Sequence, residues 1–117
     1  IDIAQLVLPS TVDANPSGGT FTGTAVDGVA SSNTGAIAQM HVLSNAISAN
    51  TTVKIRHSTA SGGTYTDLIT FTTVGSTAKV SERKSLASGT TINRYFQVTV
   101  ASSGSGSINL AVGIKRL

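Results

Sequence analysis

Apolar residues recur at every second position along much of this chain, which is the period of a β-strand. The clearest case is the segment 52–57, where Val53 and Ile55 alternate with Lys54 and Arg56. No long stretch carries apolar side chains at the spacing of a helix face. Ser and Thr, which disfavour helix interiors, are abundant throughout. The pattern therefore predicts an all-β chain.

Alternation and turn residues together predict about seven or eight short strands. They are expected near 1–8, 20–26, 35–43, 52–57, 64–74, 77–85, 91–101 and 108–114. Short strands separated by frequent turns are typical of a sandwich or barrel. We expect a single-domain antiparallel β-sandwich with jelly-roll or immunoglobulin-like connections.

Three of these segments depart from simple alternation. In 35–43 both alternating sets contain apolar residues, so a strand covered on two sides is expected. In 64–74 the apolar register is interrupted by Leu68, and a break is expected near Asp67. Residues 77–85 are polar and charged, as in an edge strand that resists unwanted pairing.

The first nineteen residues are set apart by Pro9 and by the turn-forming segment Asn15–Gly19. We therefore expect two parts, an N-terminal strand or arm over 1–19 and a sandwich domain over 20–117. The N-terminal part is either an internal strand of the sandwich or an extended arm that adds a strand to a neighbour. As an arm, it would contact the neighbour through Ile1, Ile3, Leu6, Val7 and Leu8. Its start lacks the basic residues and long apolar core of a signal peptide.

Composition limits the classes of partner that the chain is expected to bind. The net charge is +3, but only 11% of the residues are charged and 4% are aromatic. A nucleic-acid-binding surface needs clustered cations and, for single strands, stacking aromatics. The cations here are spread thinly, so we expect no direct contact with nucleic acid. No apolar run approaches the length of a membrane span, so no membrane partner is expected.

Candidate catalytic residues are sparse. The chain has no Cys, a single Glu at position 82 and four scattered Asp. The two histidines, His41 and His57, fall on separate predicted strands, and no nucleophile elbow of the Gly-x-Ser-x-Gly type is present. A metal site needs three or four convergent ligands, which this pattern does not offer. We expect no enzyme activity, no metal and no cofactor.

Three short motifs carry a resemblance. They are Thr52–Ser58 (TVKIRHS), Thr64–Leu68 (TYTDL) and Asn93–Val98 (NRYFQV). In this order they resemble a group of tailed-bacteriophage virion proteins, over roughly residues 24–114. Similar proteins are capsid decoration (cement) proteins or small tail and neck components. The resemblance implies a structural role.

The resemblance also implies architectural roles for the motif residues. His57 and Ser58 would anchor the loop that follows them. Tyr65 would fill the core while its hydroxyl bonds a polar partner. Asp67 would accept hydrogen bonds or pair with Arg94. The complete set is His57, Ser58, Tyr65, Asp67, Arg94 and Tyr95.

The function expected from the resemblance is capsid decoration. The protein would sit on the outer capsid surface of a virion, as a homotrimer, and clamp neighbouring subunits of the major capsid protein. Before assembly it would reside in the host cytoplasm. Two alternatives stay open: a tail or neck component, and a carbohydrate-binding β-sandwich module. The absence of Trp counts against the second alternative.

Overall fold

The computed structural model describes the backbone of residues 2–14, 19–23 and 25–117, and within these ranges the side chains from residue 21 onward. The described residues form nine strands and no helix, so the all-β prediction is confirmed. The strands are β1 (Asp2–Ala14), β2 (Gly19–Thr22), β3 (Val26–Asp27), β4 (Ala36–Asn45), β5 (Thr51–Ser58), β6 (Thr66–Thr70), β7 (Ser81–Leu86), β8 (Tyr95–Ser102) and β9 (Gly106–Arg116).

Two antiparallel sheets pack face to face, which confirms the predicted single-domain sandwich. Sheet I has the strand order β1-β9-β4-β7. Sheet II has the order β2-β8-β5-β6, and β3 also pairs with β8. The single strand predicted over 20–26 is in fact two short ones, β2 and β3, that pair with different parts of β8.

The core lies between the sheets and is built by alternation. In β9, which covers the strand predicted over 108–114, the residues Ile108, Leu110, Val112 and Ile114 are buried. Every second residue of a strand points to the same side, so one register of each central strand faces the opposite sheet. The buried residues of the other central strands are Ala36, Ala38, Met40, Val42, Val53, Ile55, Phe96, Val98 and Val100.

The prediction that β4 is covered on two sides is wrong for the isolated chain. Its inward residues, such as Met40, are fully buried. On its other side Ile37 is half-buried and Leu43 is 40% exposed. The reason is the layer arrangement, because sheet II covers only one face of sheet I.

A β-bulge explains the break predicted near Asp67. Ile55 pairs with Ile69 and Arg56 pairs with Asp67, so Leu68 is an extra residue on β6. Asp67 and Ile69 would share a face in a regular strand. The bulge instead leaves Asp67 exposed and Ile69 buried. The break is therefore confirmed, and Asp67 does not share the inward face of Ile69.

β7 is an edge strand, as its polar sequence predicts. It pairs with β4, and its inward register carries Glu82 and Lys84. Glu82 accepts hydrogen bonds from the Thr72 amide (2.7 Å) and the Thr72 hydroxyl (2.5 Å). Inward-pointing charges on an edge strand discourage the addition of further strands.

β1 forms the other edge of sheet I and pairs antiparallel with β9, from Asp2 opposite Arg116 to Ala14 opposite Gly106. Two register shifts interrupt this pairing, between Gln5 and Val7 and between Val7 and Ser10. Within one chain, the N-terminal segment is thus a strand of the sandwich. Exchange of this strand between copies, and the boundary at 19/20, stay predictions. Ile1 and the side chains of Ile3, Leu6, Val7 and Leu8 lie outside the described part.

Candidate interaction surface

His57 lies near the end of β5 and is used by the fold. Its Nδ1 accepts a hydrogen bond from the Asn93 amide at 3.0 Å. Because Nδ1 is the acceptor, the neutral ring carries its proton on Nε2. Burial lowers the pKa of His57 below its ordinary value of 6.5. This imidazole therefore ties the start of the third motif to the end of the first.

The loop 59–64 is held by two further side chains. Ser58 is buried, and its hydroxyl oxygen accepts a hydrogen bond from the Ala60 amide (3.3 Å). The hydroxyl of buried Tyr65 donates to the Ser61 carbonyl oxygen (2.9 Å). These contacts fix the loop between β5 and β6 from both of its ends.

The expected pairing of Asp67 with Arg94 is wrong. Asp67 contacts Lys54 Nζ at 2.9 Å and Arg56 Nε at 3.0 Å. Arg94 instead forms a bidentate ion pair with Asp27, with Nε 2.7 Å from Oδ1 and Nη2 2.8 Å from Oδ2. The strand order explains the difference, because β5 lies between β6 and β8. Both pairs are about half exposed.

The loop after β3 holds Val29 in an unusual conformation. Val29 has a φ of 76°, in the left-handed region that β-branched residues avoid, and it is 75% exposed. Asp27 Oδ1 accepts a hydrogen bond from the Val29 amide at 2.8 Å. Arg94 and this amide together lower the pKa of Asp27 from 3.8 to about 2.

Arg116 fixes the same loop from the other side. Its side chain is buried beneath the loop and donates hydrogen bonds to the carbonyl oxygens of Gly28 and Ala30. Its guanidinium also lies 5.7 Å from the centre of the Phe96 ring. A Cβ at position 28 would meet the Arg94 carbonyl oxygen at 2.7 Å, so only Gly fits there. The loop is therefore clamped from both sides, with Val29 facing outward.

Sequence reasoning missed both clamps. The hydrogen bond that Asp27 accepts from the Val29 amide is local and spans two residues. The pair with Arg94 spans 67 residues of sequence and depends on the register of β3 with β8. The hydrogen bond from Arg116 to the Gly28 carbonyl oxygen spans 88 residues. No local signal marks either contact, because each is created by the packing of distant segments.

A second surface lies at the β7 edge of sheet I and continues onto the outward residues of β4. We define the β4–β7 face by the side chains of His41, Leu43, Lys79, Val80 and Arg83. Leu43 and Val80 are two of the large apolar residues that the described part exposes, at 40% and 37%. They line a shallow depression of about 360 Å³ together with His41 and Lys79. A smaller one of about 230 Å³ opens on the other side of Val80 and reaches Met40.

His41 and Ser81 are cross-strand neighbours on this face. The strands β4 and β7 bring them opposite one another, and His41 Nδ1 hydrogen-bonds the Ser81 hydroxyl. Nucleophilic catalysis needs a third group to orient the base and donors for an oxyanion. The nearby carboxylate, Glu82, points inward and is bound to Thr72. The pair is therefore most simply a cross-strand contact.

The described part of the chain contains no metal-binding cluster and no membrane-spanning helix. Its His, Asp and Glu side chains form no group of three that could hold a metal ion. None of its segments is a helix long and apolar enough to cross a membrane. The surfaces that stand out are thus the Val29 loop and the β4–β7 face.

The comparisons with known proteins identify the fold. No protein-family model and no curated protein matches the chain. A chain in the structure of infectious bursal disease virus (Gx strain) matches with a TM-score of 0.57 and 13% identity, over 96% of this chain and 30% of that one. A chain of the T13 particle of the same virus matches with a TM-score of 0.53 and 11% identity, over 96% of this chain and 30% of that one. The PBSX exported protein XepA gives 0.54 and 11%, over 96% and 35%.

This chain thus spans about a third of the length of each of these structures. The likeness is one of fold, at identities too low to carry a function. The chain is a β-sandwich of a type that also occurs in virus particles.

Proposed function

We propose that this chain is a structural protein of a phage virion. It binds the outer capsid surface and stabilises the capsid by clamping neighbouring subunits of the major capsid protein. Support comes from the three motifs and from the fold shared with a virus-particle chain. The observation that carries the proposal is β4, a strand with apolar residues on both sides and a cover on only one.

The mechanism needs a rigid body and two neighbours. A molecule that binds the assembled capsid but not free subunits shifts the equilibrium toward assembly by mass action. Rigidity helps because a surface already ordered before binding loses little conformational entropy on contact. The clamped Val29 loop and the braced loop 59–64 are examples of such order.

The proposal includes a homotrimer at three-fold positions. A second contact, with a neighbouring subunit, is made by the N-terminal residues Ile1, Ile3, Leu6, Val7 and Leu8. In each copy β1 either stays in its own sheet or is exchanged with a neighbour. The protein acts without catalysis, direct nucleic-acid contact or membrane attachment.

Carbohydrate binding is less well supported. Sugar-binding sandwiches offer exposed aromatic rings as platforms. Phe71 and Phe96 are buried in the core, and Tyr65 is also buried. Arg94 lies over the Tyr95 ring, 5.1 Å from its centre, and so covers one of its sides. Among the described side chains Phe21, at 38% exposure, is the most exposed aromatic ring.

Co-sedimentation tests the proposed function. Purified protein is mixed with phage capsids that lack decoration proteins and, separately, with purified tails. We expect it to sediment with capsids, to saturate at a fixed number of copies per particle and to raise the temperature at which they dissociate. Binding only to tails or necks would favour that alternative. Failure on both particles together with binding on a glycan array would replace the proposal with a sugar-binding role.

A further inference from the structure

We propose that the β4–β7 face docks an acidic protein surface that carries an exposed apolar side chain. The apolar side chain packs beside Leu43 and Val80, while carboxylates meet Lys79 and Arg83. This inference rests on the proposed function, because it specifies the chemistry of the capsid surface that the sandwich would contact.

The apolar part of the face is placed there by a β-bulge. Val42 pairs with Leu110 and Ser44 with Asn109, so Leu43 is an extra residue on β4. Bulges change the direction of a side chain locally. Leu43 is left 40% exposed beside Val80, although residues with apolar side chains gain by burial. A partner side chain in the neighbouring depression of about 360 Å³ would cover both.

The charged part of the face follows from how the ion pairs are distributed. In sheet II the cations Lys54 and Arg56 are paired with Asp67, and Arg94 next to β8 is paired with Asp27. Each of these three basic side chains thus has a carboxylate partner.

Sheet I differs. Lys79 and Arg83 are exposed, and no acidic side chain of the described part pairs with either. Glu82 lies between them in sequence but points inward to Thr72. The backbones of Asp2 and Asp13 belong to β1, on the side of β9 away from β4. The β4–β7 face therefore presents unpaired positive charge around an apolar centre.

This combination selects the partner. A second copy docking through the same face would place like charges against one another, which is unfavourable. Nucleic acid would meet Leu43 and Val80 where it needs aromatic or hydrogen-bonding contacts to bases. An acidic protein surface with an apolar side chain satisfies both the charge and the apolar centre.

Peptide binding tests this chemistry without a virion. Isotope-labelled full-length protein is titrated, by amide NMR, with a capped peptide of alternating Glu and Leu. We expect the shifts to fall on β4, β7 and the segment before β7. Because charge drives part of the contact, the Kd should rise about tenfold from roughly 0.05 to roughly 0.5 M salt.

Matched variants locate the contact. Arg83→Glu should weaken binding about fivefold, whereas Lys115→Glu, the same charge change on β9 beside Ile37 and outside the defined face, should leave the Kd within about twofold. Leu43→Ser should weaken binding about fivefold, and Leu117→Ser, at another exposed Leu, should not. All four positions are exposed, and the amide spectrum of each variant shows whether it is folded.

Four results would overturn the inference. They are equal binding of a Lys–Leu peptide, shifts confined to sheet II, a dimer that Arg83→Glu dissociates, and stronger shifts of the same amides by duplex DNA. The proposed function is judged separately. If the protein sediments with capsids but fails these tests, only the inference falls. If the acidic peptide binds as expected but no capsid does, the chemistry of the face stands and the capsid role falls.

Discussion

Val29 shows how the fold holds a single residue in an unfavourable state. A β-branched side chain at a φ of 76° is strained by about 1–3 kcal/mol, and such residues persist only where their surroundings force them. Here the Asp27 carboxylate, bound to Arg94, fixes the amide, and Arg116 fixes the carbonyls on both sides. Because Val29 is 75% exposed, burial of its own side chain does not offset the strain.

We therefore expect Val29→Gly to stabilise the protein by about 1 kcal/mol, since glycine accepts positive φ and its extra chain entropy offsets only part of the relief. Val29→Ala, which keeps a Cβ, should give a smaller gain. Urea unfolding midpoints measure both. A lower midpoint for Val29→Gly would show that the loop is unstrained.

The Asp27 carboxyl gives a second prediction at this scale. Hydrogen bonds from Arg94 hold its pKa at about 2, against an ordinary 3.8. Arg94→Gln should raise this pKa toward 3.8, as followed by carboxyl ¹³C shifts during a pH titration. Lys54→Gln is the control, because it contacts Asp67 and should leave Asp27 unchanged. An Asp27 titration that ignores Arg94→Gln would contradict the assigned pair.

At the scale of elements, alternation predicted most strands, and bulges account for several of the errors. β5 and β9 follow the period of two without interruption, so their inward residues could be read from the sequence. The bulge at Leu68 was visible as a break, but its consequence for Asp67 was not, since a one-residue insertion reverses which face follows. The outward-facing Leu43, which lies in a bulge, is visible in the sequence as an apolar residue on the second side of β4. The sequence alone could not show whether another part of the chain packs against that side.

The β5–β6 pairing can be tested through its ion pairs. A double-mutant cycle with Asp67→Asn and Arg56→Gln should give a coupling of about 0.5 kcal/mol, because the groups are partly exposed. The same cycle between Asp67→Asn and Arg94→Gln should be additive, since these residues have different partners. Thermal or urea unfolding supplies the free energies. Coupling only in the second cycle would restore the pairing expected from the sequence.

The β1–β9 pairing can be tested with disulfides, because the chain has no natural Cys. Thr11 and Asn109 are register partners, and directly opposed residues of paired strands lie within disulfide reach. Thr11→Cys with Asn109→Cys should oxidise to a cross-linked monomer if β1 stays in its own sheet, seen by non-reducing electrophoresis. Cross-linked dimers or trimers would instead show exchange between copies. Thr11→Cys with Lys115→Cys, which are not partners, controls for random oxidation.

At the scale of the whole molecule, the carboxyl groups with shifted pKa values and His57 all make the protein less stable as the pH falls. Three carboxyl groups have a lowered pKa, each mainly because of a hydrogen bond. Arg94 donates it to Asp27, Lys54 to Asp67, and Thr72 to Glu82. A lowered pKa contributes stability above the ordinary value, and this contribution is lost as the pH falls through the folded value. Burial lowers the pKa of His57, so its contribution to stability is also lost as the pH falls below 6.5.

We therefore expect urea midpoints to be highest above pH 6.5 and to fall in two stages, below pH 6.5 and again below about pH 4.5. His57→Gln should remove the first stage while leaving the second. A midpoint that rises on acidification would contradict the hydrogen bonds assigned to these groups.

The fold class could be predicted from the sequence because alternation is a local property. The candidate surfaces could not. They depend on which distant segments meet, as in the contact of Arg116 with Gly28, and on which face of a sheet the other sheet leaves uncovered. The motif residues His57, Ser58 and Tyr65 prove to sit beside loops, where their hydrogen bonds order the chain.

The position of β9 has a consequence for synthesis. β9, residues 106–116, lies inside sheet I between β1 and β4, so β1 leaves the ribosome long before its pairing partner is made. Until then a nascent chain exposes the unpaired edges of both neighbours, which are prone to self-association. The sandwich therefore closes only after translation has passed Arg116, and messages truncated before the codon for Gly106 should yield aggregates.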